Sequence, residues 1–150
     1  MKQIVIMLLA ALIFCSCKNT PVLKEAEALQ IINSELKYPR VVDYEIYRSD
    51  PAHAKKLLDA GLETSGMVTI QKTQKLKDIG SSLITFTEAA SHSLLPVSDK
   101  EKGLDIQKVK IADEIVSDVK MNASGEDKNL MIVDYTTAYK NITPFAVLMT

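Results

Sequence analysis

Histidine and cysteine, on which most metal and nucleophilic sites are built, are nearly missing from this chain: it has two of each in 150 residues. His53 and His92 stand alone, with no second His or Cys at ligand spacing, which argues against zinc and leaves surface histidine as the plain reading. Cys15 and Cys17 make a C-x-C pair, but at the edge of an apolar segment and with no further Cys to complete a metal or redox site. There is no G-x-S-x-G elbow, because Gly61-Leu62-Glu63-Thr64-Ser65-Gly66 misses the serine position, and no glycine-rich phosphate loop. Asp113-Glu114, beside Asp118, are close enough in sequence to suggest a cation. On a strand, though, neighbours point to opposite faces, and calcium loops need a longer pattern containing Gly, so a solvated bulge is expected there. No residue is assigned a catalytic role, and no cofactor or metal is expected.

Excess charge is lacking too. A formal net charge of −1 gives no reason to expect nucleic acid or an anionic membrane as the main partner. Repeats and low-complexity stretches are absent, and no apolar run reaches the roughly 20 residues that span a bilayer as a helix.

What is present at the N-terminus is specific. Met1-Lys2-Gln3 is a short positive start, and Ile4 to Phe14 (IVIMLLAALIF) is an unbroken apolar run of signal-peptide length. A buried core helix would need a polar side to show water, and this run has none. Phe14-Cys15-Ser16-Cys17 then resembles the lipobox of bacterial lipoproteins, with an apolar residue at −3, small residues at −2 and −1, and the modified Cys. Cys17 fits better than Cys15, which would place the bulky Phe14 at −1 where cleavage wants a small side chain.

The resemblance implies that residues 1–16 leave as a signal peptide and that acyl chains on Cys17 hold the protein to a membrane. Two or more such chains, at about 0.8 kcal/mol per buried CH₂, make anchoring stable. Cys15 would leave with the signal, so no intramolecular disulfide is possible although the compartment would permit one. Lys18 follows Cys17 where inner-membrane lipoproteins of enterobacteria carry Asp, which implies the outer membrane. The signal looks like those of the Bacteroidetes, and Lys18-Asn19-Thr20-Pro21 lacks the acidic residues that mark surface export in that group, which favours the periplasmic face. Residues 17–22 make a short anchor segment that keeps the fold close to the bilayer.

The rest reads as α+β. Thr20-Pro21 resembles an N-cap and first helical residue, and the helix to about Lys37 aligns Leu23, Ala26, Leu29, Ile32 and Leu36 before Tyr38-Pro39 ends it. Arg40 to Tyr47 is rich in β-branched and aromatic residues and alternates Val42, Tyr44 and Ile46, which predicts a strand. Asp50-Pro51 is another N-cap and N1 pair, opening a helix with Ala54, Leu57 and Leu58 inward and Gly61 past its end. Val68 and Ile70 begin a strand, residues 72–82 form a polar loop, Leu83 to Phe86 return, and Thr87 caps a short helix ending by Pro96.

The order helix–strand–loop–strand, with Leu57-Leu58-Asp59-Ala60-Gly61-Leu62 and then Ile84-Thr85-Phe86-Thr87-Glu88-Ala89-Ala90, resembles a winged-helix domain over roughly residues 50–95. Two departures point to a reduced variant: Phe86-Thr87 replaces the family's Leu-Thr, and only one clear helix precedes residue 51. Residues 23–97 are taken as this winged-helix-like part, and 98–150 as a β-hairpin part packed on it. Val109-x-Ile111, Ile115-Val116 and Val119-x-Met121 are strand-like with a break near Asp113-Glu114, although 106–119 also fits a helix. Residues 122–127 read as a turn, 131–139 alternate as the return strand, and Asn141 to Phe145 close it. The ending resembles uncharacterised bacterial lipoproteins that join such a segment to such a hairpin, which implies fold and no activity.

Two groups are candidate contact residues. Lys72, Lys75 and Lys77 in the wing, with Lys55 and Lys56 on the helix before it, could meet phosphates. Asp59 and Asp78 interrupt that patch, and an exported protein has no chromosomal target, so a solvated basic face is the better reading and no nucleic acid is expected. Arg40 with Tyr38, Tyr44 and Tyr47 could stack on a sugar or small ligand, although tyrosines at strand spacing more often pack half-buried. The expectation is a non-enzymatic envelope lipoprotein in the periplasm that binds a protein partner, with glycan or small-ligand binding as the alternative.

Overall fold

A computed structural model describes residues 23–123 and 131–149. The expected signal over residues 1–16, Cys17, Thr20-Pro21 and most of the expected 122–127 turn lie outside the described residues. Among those described, no helix is long and apolar enough to cross a membrane.

The elements are α1 (Glu25–Glu35), β1 (Arg40–Tyr47), α2 (Pro51–Asp59), β2 (Val68–Ile70), β3 (Ile84–Phe86), β4 (Leu94–Leu95), α3 (Asp99–Gly103), β5 (Ile106–Ala123) and β6 (Met131–Lys140). Turns of 3₁₀ helix fill Leu76–Asp78, Glu88–Ser93 and Pro144–Met149. The fold is α+β, with antiparallel pairing throughout.

Sequence chemistry places several boundaries directly. Asp50 caps α2, its carboxylate accepting from the Ala52 N–H at 2.7 Å with Pro51 at N1. Gly61 sits just past the C-cap at φ 74°, the left-handed conformation that most side chains resist. α1 begins later than expected. Lys24 is its N-cap residue, with its backbone N–H held by Glu27 at 3.1 Å. The helix ends in a Schellman turn, with Lys37 at φ 57° and the Tyr38 N–H bonded to the Asn33 carbonyl. Its inward stripe is narrower than expected: Ala28 is buried and Leu29 and Ile32 are half-buried, while Ala26 and Leu36 remain exposed. The reason is that α1 packs mainly on β5, and a single strand covers one line of a helix.

β5 is the spine of the molecule. Its first half pairs with β1 along one edge, from Tyr47 opposite Ile106 to Arg40 opposite Glu114. Along the other edge it pairs first with β4 and then with β6, from Lys140 opposite Asp113 to Met131 opposite Ala123. The expected break at Asp113-Glu114 is therefore not there. Both residues lie in regular pairing with strands on either side, and the irregularities fall beside them, where Ile111 bulges against β1 and Ser117 against β6. Two adjacent carboxylates are tolerated in the strand because each has a cation: Lys110 reaches Asp113 at 2.7 Å and Arg40 reaches Glu114 at 2.6 Å. They are paired strand residues, not a solvated bulge.

The core lies on one face of this sheet. Ile46 and Val109 of the sheet, Ala54 and Leu57 of α2, Val68, Ile70 and Ile84 of the β2–β3 pair, and Phe145 and Leu148 close on one another. The opposite face is polar, as expected of an antiparallel sheet covered on one side. The helix–strand–loop–strand unit read from the winged-helix resemblance is present as α2, β2 and β3, but β2 and β3 form their own two-stranded sheet. β1 joins β5 instead of the wing, because Tyr44 and Ile46 find their apolar partner surface on Val109 and its neighbours. The two expected parts, 23–97 and 98–150, thus share one sheet and one core. Arg48 ties the β2–β3 pair, the segment expected as a wing, to that sheet. Its backbone carbonyl accepts from the Leu83 and Ile84 N–H groups, and its guanidinium donates to Ser82 Oγ at 2.9 Å and pairs with Asp105 at 3.4 Å.

Candidate interaction surface

The core face of the sheet does not end where the core does. Past Val42 it emerges from under α2 and the wing, and the residues that follow on that face are Arg40 on β1, Ala112 and Glu114 on β5, and Thr137 and Tyr139 on β6. Period-two alternation puts them there: Arg40 lies opposite Glu114, and Glu114 opposite Tyr139.

The chain after β6 builds the other wall. Residues 144–149 form 3₁₀ helix, whose side chains repeat every three residues. That period sends Phe145 and Leu148 into the core and turns Ala146 and Met149 outward on a shared line. The result is an apolar hollow of about 150 Å³, floored by Val42, Ile111, Ala112 and Ala146. Its walls are Tyr139, Ile142 and Met149, which are 59%, 64% and 58% exposed. A space of this order holds a benzene-sized group.

A polar aromatic platform adjoins it. The Arg40 guanidinium donates to Glu114 Oε2 from Nε at 3.1 Å and from Nη2 at 2.6 Å, and Nη2 also donates to the Tyr38 hydroxyl at 2.9 Å. Tyr38 meets Tyr135 edge-on, with ring centroids 6.4 Å apart. The Arg40 guanidinium, with help from the Thr137 hydroxyl, holds the Glu114 carboxyl below the usual carboxylate range. Partial burial of the Tyr38 phenol pushes its pKa up.

The residues proposed for ligand stacking divide into two groups. Tyr38 and Arg40 join Glu114 and Tyr135 as above. Tyr44 and Tyr47 instead gather around α2: Lys56 donates to the Tyr44 hydroxyl at 3.2 Å, and the Tyr47 ring stands edge-on to His53 at 5.2 Å. The Tyr47 backbone N–H donates to His53 Nδ1 at 2.9 Å, so His53 fastens α2 to the end of β1. The four side chains do not line one common site. Lys72 pairs with Glu63 at 2.9 Å and holds its carboxyl below the ordinary range, while Lys75 and Lys77 stand on the wing loop with no ion pair among the described residues. A groove between α2 and the wing, lined by Lys55, Leu58, Lys72 and Gln74, has its two lysines already paired to Asp59 and Glu63. Among the described residues, no three His, Cys, Asp or Glu side chains are grouped to hold a metal.

Thr137, Tyr139, Ile142 and Met149 were not among the candidates read from the sequence, and Glu114 was weighed there only for a cation. The alternation of 131–139 does put Tyr135, Thr137 and Tyr139 on one face, so that part was within reach. The hollow also needs Val42 and the closing turn, which come together only through β5.

On the polar face, Lys108 bridges Glu101 at 2.6 Å and Glu45 at 3.4 Å. The Lys108 ammonium, the Ser98 hydroxyl and the Ser98 backbone N–H together draw the Glu101 carboxyl down to about 2. Ser98 and Glu101 also make the capping box that starts α3. A carboxylate whose folded pKa lies below its unfolded value stabilises the fold fully above the unfolded value, and loses that contribution as pH falls through the folded one. Asp113, Glu114 and Glu63 are shifted in the same direction. Thermal melts should therefore be level above roughly pH 5 and fall steadily from there towards pH 2. Glu101→Gln should lower the plateau, and its gap to wild type should close at the acid end. A gap that widens in acid would contradict this assignment.

Comparison with known proteins finds no matching family, no similar curated protein and no similar solved structure.

Proposed function

We propose that the chain is a lipid-anchored, non-enzymatic protein of the bacterial envelope, held by acyl chains on Cys17 at the periplasmic side of the outer membrane, and that it binds another protein through the hollow beside Tyr139. The observation that carries the binding reading is the hollow's make-up. Three large apolar side chains stand more than half exposed around a buried apolar floor, next to a rim of paired polar groups. An apolar centre inside a polar rim is the usual anatomy of a protein interface, and its central side chains carry most of the affinity. Arg40 and Glu114 satisfy one another before binding, so a partner would cover them without stranding a charge.

The test is solubilisation of the full-length protein from membranes and measurement of what co-purifies with wild type and with Ile142→Asp. Ile142 is largely exposed and does not belong to the core, so the variant should melt like wild type. It should retain the wild-type partner at least about 30-fold less well, as expected for a hot-spot residue worth ~2 kcal/mol. A partner retained equally by both forms, or no specific partner for wild type, would exclude the hollow as the binding site.

A further inference from the structure

We propose that two copies of the chain pair antiparallel along the free edge of β6, with Thr137 on the twofold axis.

β6 is paired on one side only. Its extensive contact is with β5, and the backbone N–H and C=O groups of its other edge face no strand among the described residues. It is ten residues long, and only Val133 and Ala138 are even half-buried. Edge strands usually carry a device against pairing, such as a proline, a bulge on the edge itself or an inward charge. β6 has no proline, and the bulge at Ser117 belongs to β5; its two charged side chains, Asp134 and Lys140, are of opposite sign and so can complement a second copy instead of repelling it. An open edge of this kind recruits another strand, and a second copy is the partner always at hand.

The residues of β6 specify that copy and its register. In an antiparallel pair of identical strands, outward-facing backbone groups meet only when the paired residue numbers have an even sum, because outward and inward groups alternate. Among the registers that satisfy this, the one centred on Thr137 sets Asp134 opposite Lys140 twice, once in each direction. Among the described residues Lys140 has no ion pair, and Asp134 accepts from the Asn122 side chain at 2.9 Å. Their neighbours across β5, Asp113 and Lys120, pair instead with Lys110 and Asp118, so both charges can turn to a second strand. The same register puts Tyr135 opposite Tyr139 on the other face, again twice, and Thr137 opposite itself. Opposite charges, aromatic pairs and paired threonines are the cross-strand combinations that stabilise a sheet. Centring on Thr136 or Tyr135 instead leaves the charges facing Ala138, Ile132 or Thr136. The pairing puts Tyr139, one wall of the hollow, at the seam, but its charge pairs lie on the opposite face, so the charge exchange below tests it separately from the partner reading above.

Charge exchange tests the register in the full-length protein, using its molar mass after detergent solubilisation. Wild type should dimerise. Asp134→Lys and Lys140→Asp each replace two attractive pairs by two repulsive ones, and each should weaken the dimer at least about tenfold. The double variant Asp134→Lys/Lys140→Asp restores opposite charges and should recover the wild-type constant. Separately, Thr137→Cys should crosslink to itself with a short thiol-to-thiol reagent, whereas Lys102→Cys on α3 and the parent chain should not. A monomeric wild type would overturn the proposal. So would a double variant as weak as the singles, or a Thr137→Cys that crosslinks no better than Lys102→Cys.

Discussion

Replacing Phe145 with alanine will destabilise the fold by about 3–5 kcal/mol, the loss typical of a fully buried phenylalanine. Phe145 is 0% exposed and touches the Phe86 ring at a centroid distance of 6.1 Å, so it joins the closing segment to the wing across the core. The loss is not one of area alone. Residues 144–149 follow β6 as a short 3₁₀ segment, and Phe145 and Leu148 are their two buried anchors. Against a total stability of roughly 5–15 kcal/mol, such a loss is a large fraction, and a chain of this size should melt roughly 10–20 °C lower. Met149→Ala, one 3₁₀ step off the buried line, should melt within a degree or two of wild type because Met149 is exposed. Thermal unfolding followed by circular dichroism makes the comparison. Equal losses for both variants would mean that the turn packs as a whole, without the three-residue division that also creates the hollow.

That division shows where the sequence could and could not be read. Local chemistry was legible: Asp50-Pro51 opens α2, Gly61 closes it, the alternation of 40–47 marks a strand with its correct inward face, and that of 131–139 marks a second strand. The capping pattern Ser98-x-x-Glu101 was equally plain and marks α3, although no helix was expected there. Pairing of neighbouring strands was legible as well, since 131–139 does return on β5 and residues 84–86 on β2; pairing between distant segments was not. Asp113 and Glu114 looked like an interruption because acidic residues are depleted in strands. Their partners, Lys110 and Arg40, restore the strand, and Arg40 lies far away in sequence on β1. Phe145 was read as the close of a hairpin because an apolar residue after a strand says nothing of which core it enters. The hollow combines both kinds of non-local fact, and this is why its walls were not among the candidate contacts.

The proposed anchor makes a second large prediction. Cells fed a labelled fatty acid should incorporate it into the wild-type protein and into Cys15→Ser, and not into Cys17→Ser. The contrast follows from the cleavage geometry, since Ser16 before Cys17 is small and Phe14 before Cys15 is not. The label is a better readout than membrane association, because an uncleaved leader would keep the apolar run Ile4 to Phe14 and could hold the precursor at the bilayer. The label also separates anchoring from folding. On this proposal Cys15 leaves with the signal and the mature chain has no disulfide that Cys17→Ser could break, so the purified variant should melt like wild type. Incorporation into Cys17→Ser, or its loss from Cys15→Ser, would move the anchor to the other cysteine. No label in any form would remove the envelope reading, while leaving the hollow and the free edge of β6 to be tested in another compartment.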